Sequence, residues 1–515
     1  MKKTLTALAL CAFGLAQFSA NAQEYDLNKY KYRFQQYRGL TGGFRLDGDG
    51  DLSTTKYSDN DTIPEYSNIQ DYNTRGFDYR FNLNYFTNIS LDNLQRGTSL
   101  TLNSSAEFGQ NGSGRKLNDS LLNSSYNKYS SYQQSLDFNQ FNRFYKPNNS
   151  FTYLEYGARA RIDGARNFNN ESKPGDTKNN QNRNQIGANL NIGKGKGRIE
   201  NVSDAVLAMF IIKDLQKKGG LGKLTDAQTE LIAQGITTAR NRRFIDFRFR
   251  TIDQIALLDS FFTAAGAKPP NDLIYYTTLY DNWFYATEFS RGTGKRFTYY
   301  LSNEAGYSAQ QGTRENSIGT DYNYQKYTGT SLFNAINLDY INSKQLNLYH
   351  ERSFSISIKS GLNHRTSINE FKDSLNLARP YSENSSKSKD GDAINSSISG
   401  VYSHLYQPNT RTYLRWSVEG YYQQNNSMLG LRTANPTKEN NIAQLLSSRF
   451  NLDFFHFFSP RLSVYGAAGV NAYANLNTEK REIAYAPNNL FNFKSNNNGI
   501  TGGVTLSAGL NYALF

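Results

Sequence analysis

The side chains able to do chemistry in this chain are mostly ion-pairing groups. Arg80, Arg159, Arg161, Lys359, Arg415 and Arg449 share their segments with Asp78, Glu107, Asp137, Glu155, Asp339, Glu419 and Asp453. Such a near-neutral set can close on itself in salt bridges, because unpaired burial is costly. It can equally line a wet passage, where rings of side chains choose the ion. A second cluster has one sign: Arg240, Arg242, Arg243, Arg248 and Arg250. Guanidinium groups grip carboxylate and phosphate bidentately, so this patch could hold an anion or a partner. A solvated face, or salt bridges to Asp246 and Asp253, is the simpler account.

Other chemistries find little support. His350, His364, His404 and His456 show no short ligand spacing, so no metal is expected. Asp47, Asp49 and Asp51 open like a calcium loop. Leu52 and Ser58 stand where that loop needs Gly and Glu, so an acidic turn at a strand end is expected. Ser367 lies near His364 without an evident orienting third group. No catalytic residue and no cofactor is assigned, and an enzyme is not expected.

The charges sit on segments of period-2 alternation. Phe77, Tyr79, Phe81, Leu83 and Tyr85 alternate with Asp78, Arg80, Asn82 and Asn84. Leu154 to Ile162, Phe354 to Leu362, Leu414 to Tyr422 and Leu446 to Phe454 repeat the pattern, which marks strands with one apolar and one polar face. Short connectors near 92–97, 146–149, 407–410 and 459–461 take turns with long polar ones at 47–73, 109–125, 167–184, 369–392, 425–441 and 477–499. Counting by this rule gives six strands before residue 195, near 36–46, 76–90, 98–108, 128–142, 150–163 and 185–193. Eight more follow, near 296–308, 328–341, 352–364, 393–405, 411–424, 443–456, 462–476 and 500–515. The fold class is therefore all-β, an antiparallel up-and-down β-barrel of about 14 strands. Mean hydropathy is only −0.67, which fits a transmembrane barrel because its two faces alternate.

Residues 195–294 break the pattern and read as a small α-helical insert with its connector. Val202, Ala205, Val206, Met209, Phe210 and Leu215 have the spacing of an amphipathic helix, with Asn201 or Ser203 as its cap. Thr225 and Gln228 spell a capping box for a second helix. A third is expected from about 241 to 265, ending before Pro269 and Pro270. Residues 273–294 fit no clear class and are grouped with the insert. Strand parity puts it at the short-turn end, either hanging there or plugging the barrel.

The opening residues read as a signal peptide, 1–22: Lys2 and Lys3, an apolar stretch from Leu5 to Phe18, then Ala20-Asn21-Ala22. Cys11, the single cysteine, lies inside it, so no disulfide framework is expected. Losing Lys2 and Lys3 takes the net charge from +13 to about +11. Export makes nucleic acid an unlikely partner for that charge and favours lipid A phosphates, anionic solutes or an acidic partner.

At the other end, Ser507, Gly509, Tyr512, Leu514 and the terminal Phe515 match the closing strand of bacterial outer-membrane barrels. The last aromatic falls one place beyond the usual register. The chain thus resembles bacterial outer-membrane β-barrel proteins of porin-like kind, and its Asn- and Tyr-rich composition is similar to those of the Bacteroidota. The resemblance implies an outer-membrane location and contact with membrane lipid and lipopolysaccharide. It also implies a closing strand read by the barrel-assembly machinery. The expected function is a channel or transporter for a small polar or anionic solute. The alternative is an assembly or interaction scaffold, with a periplasmic protein partner for the insert.

Overall fold

The computed structural model describes residues 25–58, 67–117, 120–171, 177–218, 220–242, 251–285, 290–316, 321–375, 382–388, 393–429, 437–459, 462–485 and 489–512. The signal peptide and the last two residues of the closing motif, Leu514 and Phe515, lie outside the described residues.

One antiparallel sheet dominates. β1 (Gln35–Ser58), β2 (Ser67–Ser90), β3 (Leu94–Leu117), β4 (Ser120–Tyr145), β5 (Ser150–Glu171) and β6 (Thr177–Asn201) precede the helices. After them come β7 (Gly292–Asn316), β8 (Asp321–Gln345), β9 (His350–Leu375), β10 (Ser382–Ser388) and β11 (Ala393–Asn409). β12 (Thr412–Leu429), β13 (Thr437–Ser459), β14 (Leu462–Tyr485) and β15 (Asn489–Tyr512) complete the set. Neighbours in sequence pair in space, giving fourteen strands in the up-and-down order of a β-barrel. The short β10 continues the line of β11, since Ser388 pairs with Ser367 and Ala393 with Asn363, both on β9. Among the described residues β1 and β15 each pair on one side only.

The strands run well past the ends expected from alternation. β1 and β2 stay in register from Gln35↔Ser90 to Ser58↔Ser67, so most of the expected loop 47–73 is ladder. The loops expected at 109–125, 167–184, 425–441 and 477–499 shrink in the same way. Here both faces are polar. A hairpin satisfies its backbone groups by cross-strand pairing alone and needs no apolar face in water. Asp47, Asp49 and Asp51 therefore lie within β1, not in an acidic turn.

The register sorts side chains onto two faces. Arg80, Ser105, Gln133, Asp163 and Arg183 are successive partners from β2 to β6 on one face. On the other face, Leu83, Leu102, Leu136, Ala160 and Ile186 form an apolar row. The polar face is the concave one. Gln95 on β3 donates to the Ile199 carbonyl on β6 at 3.0 Å, and Gln35 on β1 donates to that of Asn201 at 3.0 Å. Such chords between non-adjacent strands require the sheet to curl. Aromatic rings on the concave face settle over glycines, with Phe86 on Gly39, Phe141 on Gly97 and Phe151 on Gly195. A β-carbon at any of the three would clash with the ring.

Between β6 and β7 stand α1 (Ser203–Lys218), α2 (Asp226–Asn241), α3 (Thr251–Ala264) and α4 (Asp272–Tyr285). Asn201 and Gly292 are still register partners, so the insert occupies 202–291, a few residues inside the expected 195–294. Asn201 accepts from the Ser203 amide at 3.0 Å and Thr225 forms the expected capping box with Gln228. Three features differ from expectation. α1 is buried nearly all round, with Leu207, Ala208, Ile211 and Ile212 as enclosed as the expected stripe. A helix packed on every side shows no polar face for periodicity to detect. Asn241 closes α2 rather than opening the third helix, which is described over Thr251–Ala264, and a fourth helix, α4, takes up 273–285 of the unassigned region.

Candidate functional site on the concave face

The helices and residues 25–34 bind the strand ends on the short-turn side. From α1, Lys213 donates to the Tyr349 hydroxyl at 2.9 Å, and Phe210 packs on the same ring in the β8–β9 turn. From α4, Asn282 accepts from Thr410 at 3.1 Å, and Asp281 pairs with Arg411 at 2.6 Å in the β11–β12 turn. Tyr285 packs on Phe457 of β13. Residues 25–34 form a strap, where Asn28 donates to the Gln345 carbonyl and Arg33 pairs with Glu200. Tyr25 donates to Glu230 at 2.7 Å, and burial pushes its hydroxyl pKa up, helped by that carboxylate.

Three buried ionic groups lock this end, Asp204 and Arg291 joining the cap to the sheet and Arg198 joining β6 to the β2–β3 turn. Asp204 in α1 is fully buried and accepts from Tyr37 of β1, from Thr237 and from Arg240 at 2.6 Å. Arg198, with 3% of its side chain exposed, meets Glu200 at 3.1 Å and donates to Ser90 and the Leu91 and Asp92 carbonyls. Arg291 donates to the Leu348 and Tyr349 carbonyls at 2.6 and 3.2 Å. Its burial pulls the guanidinium pKa down to about 10. A charge removed from water persists only where hydrogen bonds replace its hydration.

Of the expected arginine patch, only Arg240 and Arg242 lie among the described residues. Arg240 ends α2 and is spent on Asp204, and Arg242 caps the same helix. Arg243, Arg248 and Arg250 lie outside the described residues. Sequence could not show that Arg240 meets an acid 36 positions earlier.

The wall charges do share one face, in pairs. Arg80 meets Asp78 at 3.1 Å, Arg161 meets Asp163 at 2.9 Å, and Arg159 pairs with Asp137 across β4 and β5. Lys359 reaches past β8 to Glu304 at 2.9 Å. Arg415 stands opposite Asp453 in the register, and Glu419 opposite Arg449. Glu419 accepts from Asn451 and Arg449 donates to Tyr473, each at 3.4 Å.

Nearer the cap the concave face changes character. Tyr145, Phe151 and Tyr153 are buried together, with Phe141 and Tyr300 packed against them. The Arg143 guanidinium lies 4.4 Å from the Phe141 ring centre, and Arg198 lies 4.6 Å from that of Tyr145. Glu155 is occupied by Tyr153, Asn139 and Asn191. Arg143 Nε has no hydrogen-bond partner among the described residues. This arginine–aromatic belt escaped sequence reading because Phe141, Tyr145, Phe151 and Tyr153 lie on the polar phase. Aromatic residues there erase the alternation.

Two weak signals resolve differently. His364 and Ser367 are an odd number of residues apart on β9, so they point to opposite faces and form no nucleophile–base pair. His350 Nδ1 and His404 Nε2 lie 3.0 Å apart on neighbouring strands, a contact that spacing of 54 residues concealed. Among the described residues no three metal-ligating side chains gather.

No family model matches the chain, and no curated protein does. Among solved structures, the ferric preacinetobactin receptor BauA of Acinetobacter baumannii aligns over 94% of this chain and 80% of its own. The identity is 8% and the TM-score 0.11, a superposition too poor to carry any argument about this chain.

Proposed function

We propose that this chain is an outer-membrane β-barrel that passes a small polar or anionic solute and is closed at its short-turn end by the helical cap. One observation carries the reading. The convex face leaves Leu190, Leu301, Ile336, Leu362, Val418 and Val470 exposed, while the concave face is polar and ends on a tethered cap. Apolar outside and polar inside is the arrangement lipid demands of a spanning sheet. Strands of 24 residues reach about 80 Å at ~3.3 Å per residue. With a tilt of ~40° they rise about 60 Å, more than twice the ~25 Å apolar band. The two-sided polar hairpins are then the parts outside the membrane. The Arg143 belt favours an anionic or polar solute, since Arg143 forms no ion pair among the described residues and the nearby Glu155 is held by Tyr153, Asn139 and Asn191.

Planar-bilayer conductance tests this. The intact protein is compared with one in which 202–291 is replaced by a short Gly/Ser turn, joining the register partners Asn201 and Gly292. Silence from the intact protein and steady conductance from the capless one is the expected result. In the capless protein, Arg143→Gln is expected to lower the anion-to-cation permeability ratio about threefold, by removing one ring charge. Silence from both, with heat-dependent SDS mobility proving that they are folded, would sink the channel reading.

That outcome would favour a scaffold, for which α4 supplies an observation. Leu273, Tyr276, Tyr280 and Phe284 form an exposed stripe at helical spacing, 75, 38, 44 and 39% exposed. An apolar stripe facing water on a periplasmic cap suits a docked protein.

A further inference from the structure

The concave face holds a cavity whose charges do not cancel where they stand. It measures about 600 Å³, and Asp78, Arg80, Glu107, Arg161, Asp163 and Arg183 line it. Four of these are spent in pairs along their own strands. Arg80 meets Asp78 at 3.1 Å on β2, and Arg161 meets Asp163 at 2.9 Å on β5. Glu107 on β3 and Arg183 on β6 are left over. Both are exposed, and neither forms an ion pair among the described residues.

The register keeps the two apart. Glu107 is the partner of Asp78, which is the partner of Asp47, so three carboxylates share one row across β1 to β3. The next row towards the short turns supplies only two arginines, Arg45 and Arg80, and then Ser105. Arg45 pairs with Asp47 and Arg80 with Asp78, which leaves Glu107 as the acid without a base. Like charges side by side cost a sheet stability, so ladder strength does not account for this row. Across the cavity, Asp163 is the register partner of Arg183 but pairs with Arg161. The Arg183 guanidinium lies against the neutral amide of Gln185 instead. Between the two sides β4 offers Ser131 and Gln133. The cavity therefore has an acid in excess on β1 to β3 and a base in excess on β5 and β6. From β3 to β6 is about 14 Å at ~4.8 Å per strand, and both side chains reach into that span.

We propose that this cavity binds zwitterionic solutes of amino-acid or dipeptide size, with Glu107 taking the ammonium group and Arg183 the carboxylate. The inference rests on the channel reading above and narrows its solute. A guanidinium takes a carboxylate bidentately, and a carboxylate accepts charge-assisted hydrogen bonds from an ammonium. A lone anion meets the carboxylate row, and a lone cation meets Arg161 and Arg183, so like charge works against each. Ser131 and Gln133 can hydrogen-bond the polar groups held between the two ends.

The test reads binding rather than conductance, on the full chain in mild detergent, by saturation-transfer NMR. The probes are diglycine, its N-acetyl derivative, which is only an anion, and its C-terminal amide, which is only a cation. Diglycine is expected to bind at least tenfold more tightly than either. Each substitution should then erase one preference and keep the other. Glu107→Gln should bind diglycine no better than the N-acetyl derivative, yet still better than the amide. Arg183→Gln should bind diglycine no better than the amide, yet still better than the N-acetyl derivative. Heat-dependent SDS mobility checks that each variant is folded, and the three probes on the wild type decide the matter where a variant does not fold. Equal binding of all three by the wild type, or tightest binding of the N-acetyl derivative, would overturn the site. Folded variants that weaken all three probes alike would also overturn it, since a structural role has no preference among them. None of these results touches the channel reading, which is judged by the bilayer measurement. Silence there beside an intact diglycine preference would remove the passage and leave the site.

Discussion

The capped end of the sheet and the middle of its concave wall use the same residue types under opposite conditions. At the short-turn end Arg198 is 3% exposed and Asp204 fully buried, each with several partners. Midway along β5 and β2, Arg159 and Arg80 are 73 and 68% exposed, each beside one acid. Water makes the difference. A buried ion that loses a partner keeps its full desolvation cost, whereas an exposed ion is rehydrated. The capped end is therefore specified by its charges, and the middle of the wall is only decorated by them. This contrast suits a barrel held in shape at one end and wet along its wall.

The comparison breaks most visibly at Asp204. We expect Asp204→Ala to destabilise the cap by about 3–5 kcal/mol, because it strands the Arg240 charge beside two unanswered hydroxyls. Limited proteolysis should then cut within the helices while the sheet stays resistant. Equal resistance in wild type and variant would mean that the helix core alone holds the cap. Next in size is Arg291→Met, which keeps the volume but leaves the Leu348 and Tyr349 carbonyls without this donor. We expect a loss of about 1–3 kcal/mol, read as a lower denaturant midpoint for the cap. No change there would mean that water replaces the guanidinium, and that the end is wetter than its burial suggests.

The contrast also explains what the sequence could say. Strand number and facing were legible because a half-apolar strand must alternate, as Phe77 to Tyr85 does. The α2 start was legible because Thr225 and Gln228 satisfy each other locally. What stayed hidden is what depends on distant partners or on two like faces. The Arg198 anchor needs Ser90 and Asp92, more than 100 residues away. Arg143 sits among aromatics on the polar phase. The hairpin arms beyond Asp47 are polar on both faces, so nothing in their period separates a ladder from a loop.

The smallest effect on stability should come from the exposed pairs, and there the contrast is sharpest. Arg159→Gln removes one partner of an ion pair with 73 and 37% of its side chains exposed. An exposed pair contributes about 0–1 kcal/mol, so the denaturant midpoint should barely move. The same substitution removes one positive charge from a wall that solutes would pass. In the capless protein the anion preference should therefore fall, and fall more at low salt, where screening is weaker. A stability loss as large as that of Asp204→Ala would mean that the middle of the wall is dry and interlocked like the capped end. An unchanged selectivity at every salt concentration would mean that solutes do not pass this part of the wall.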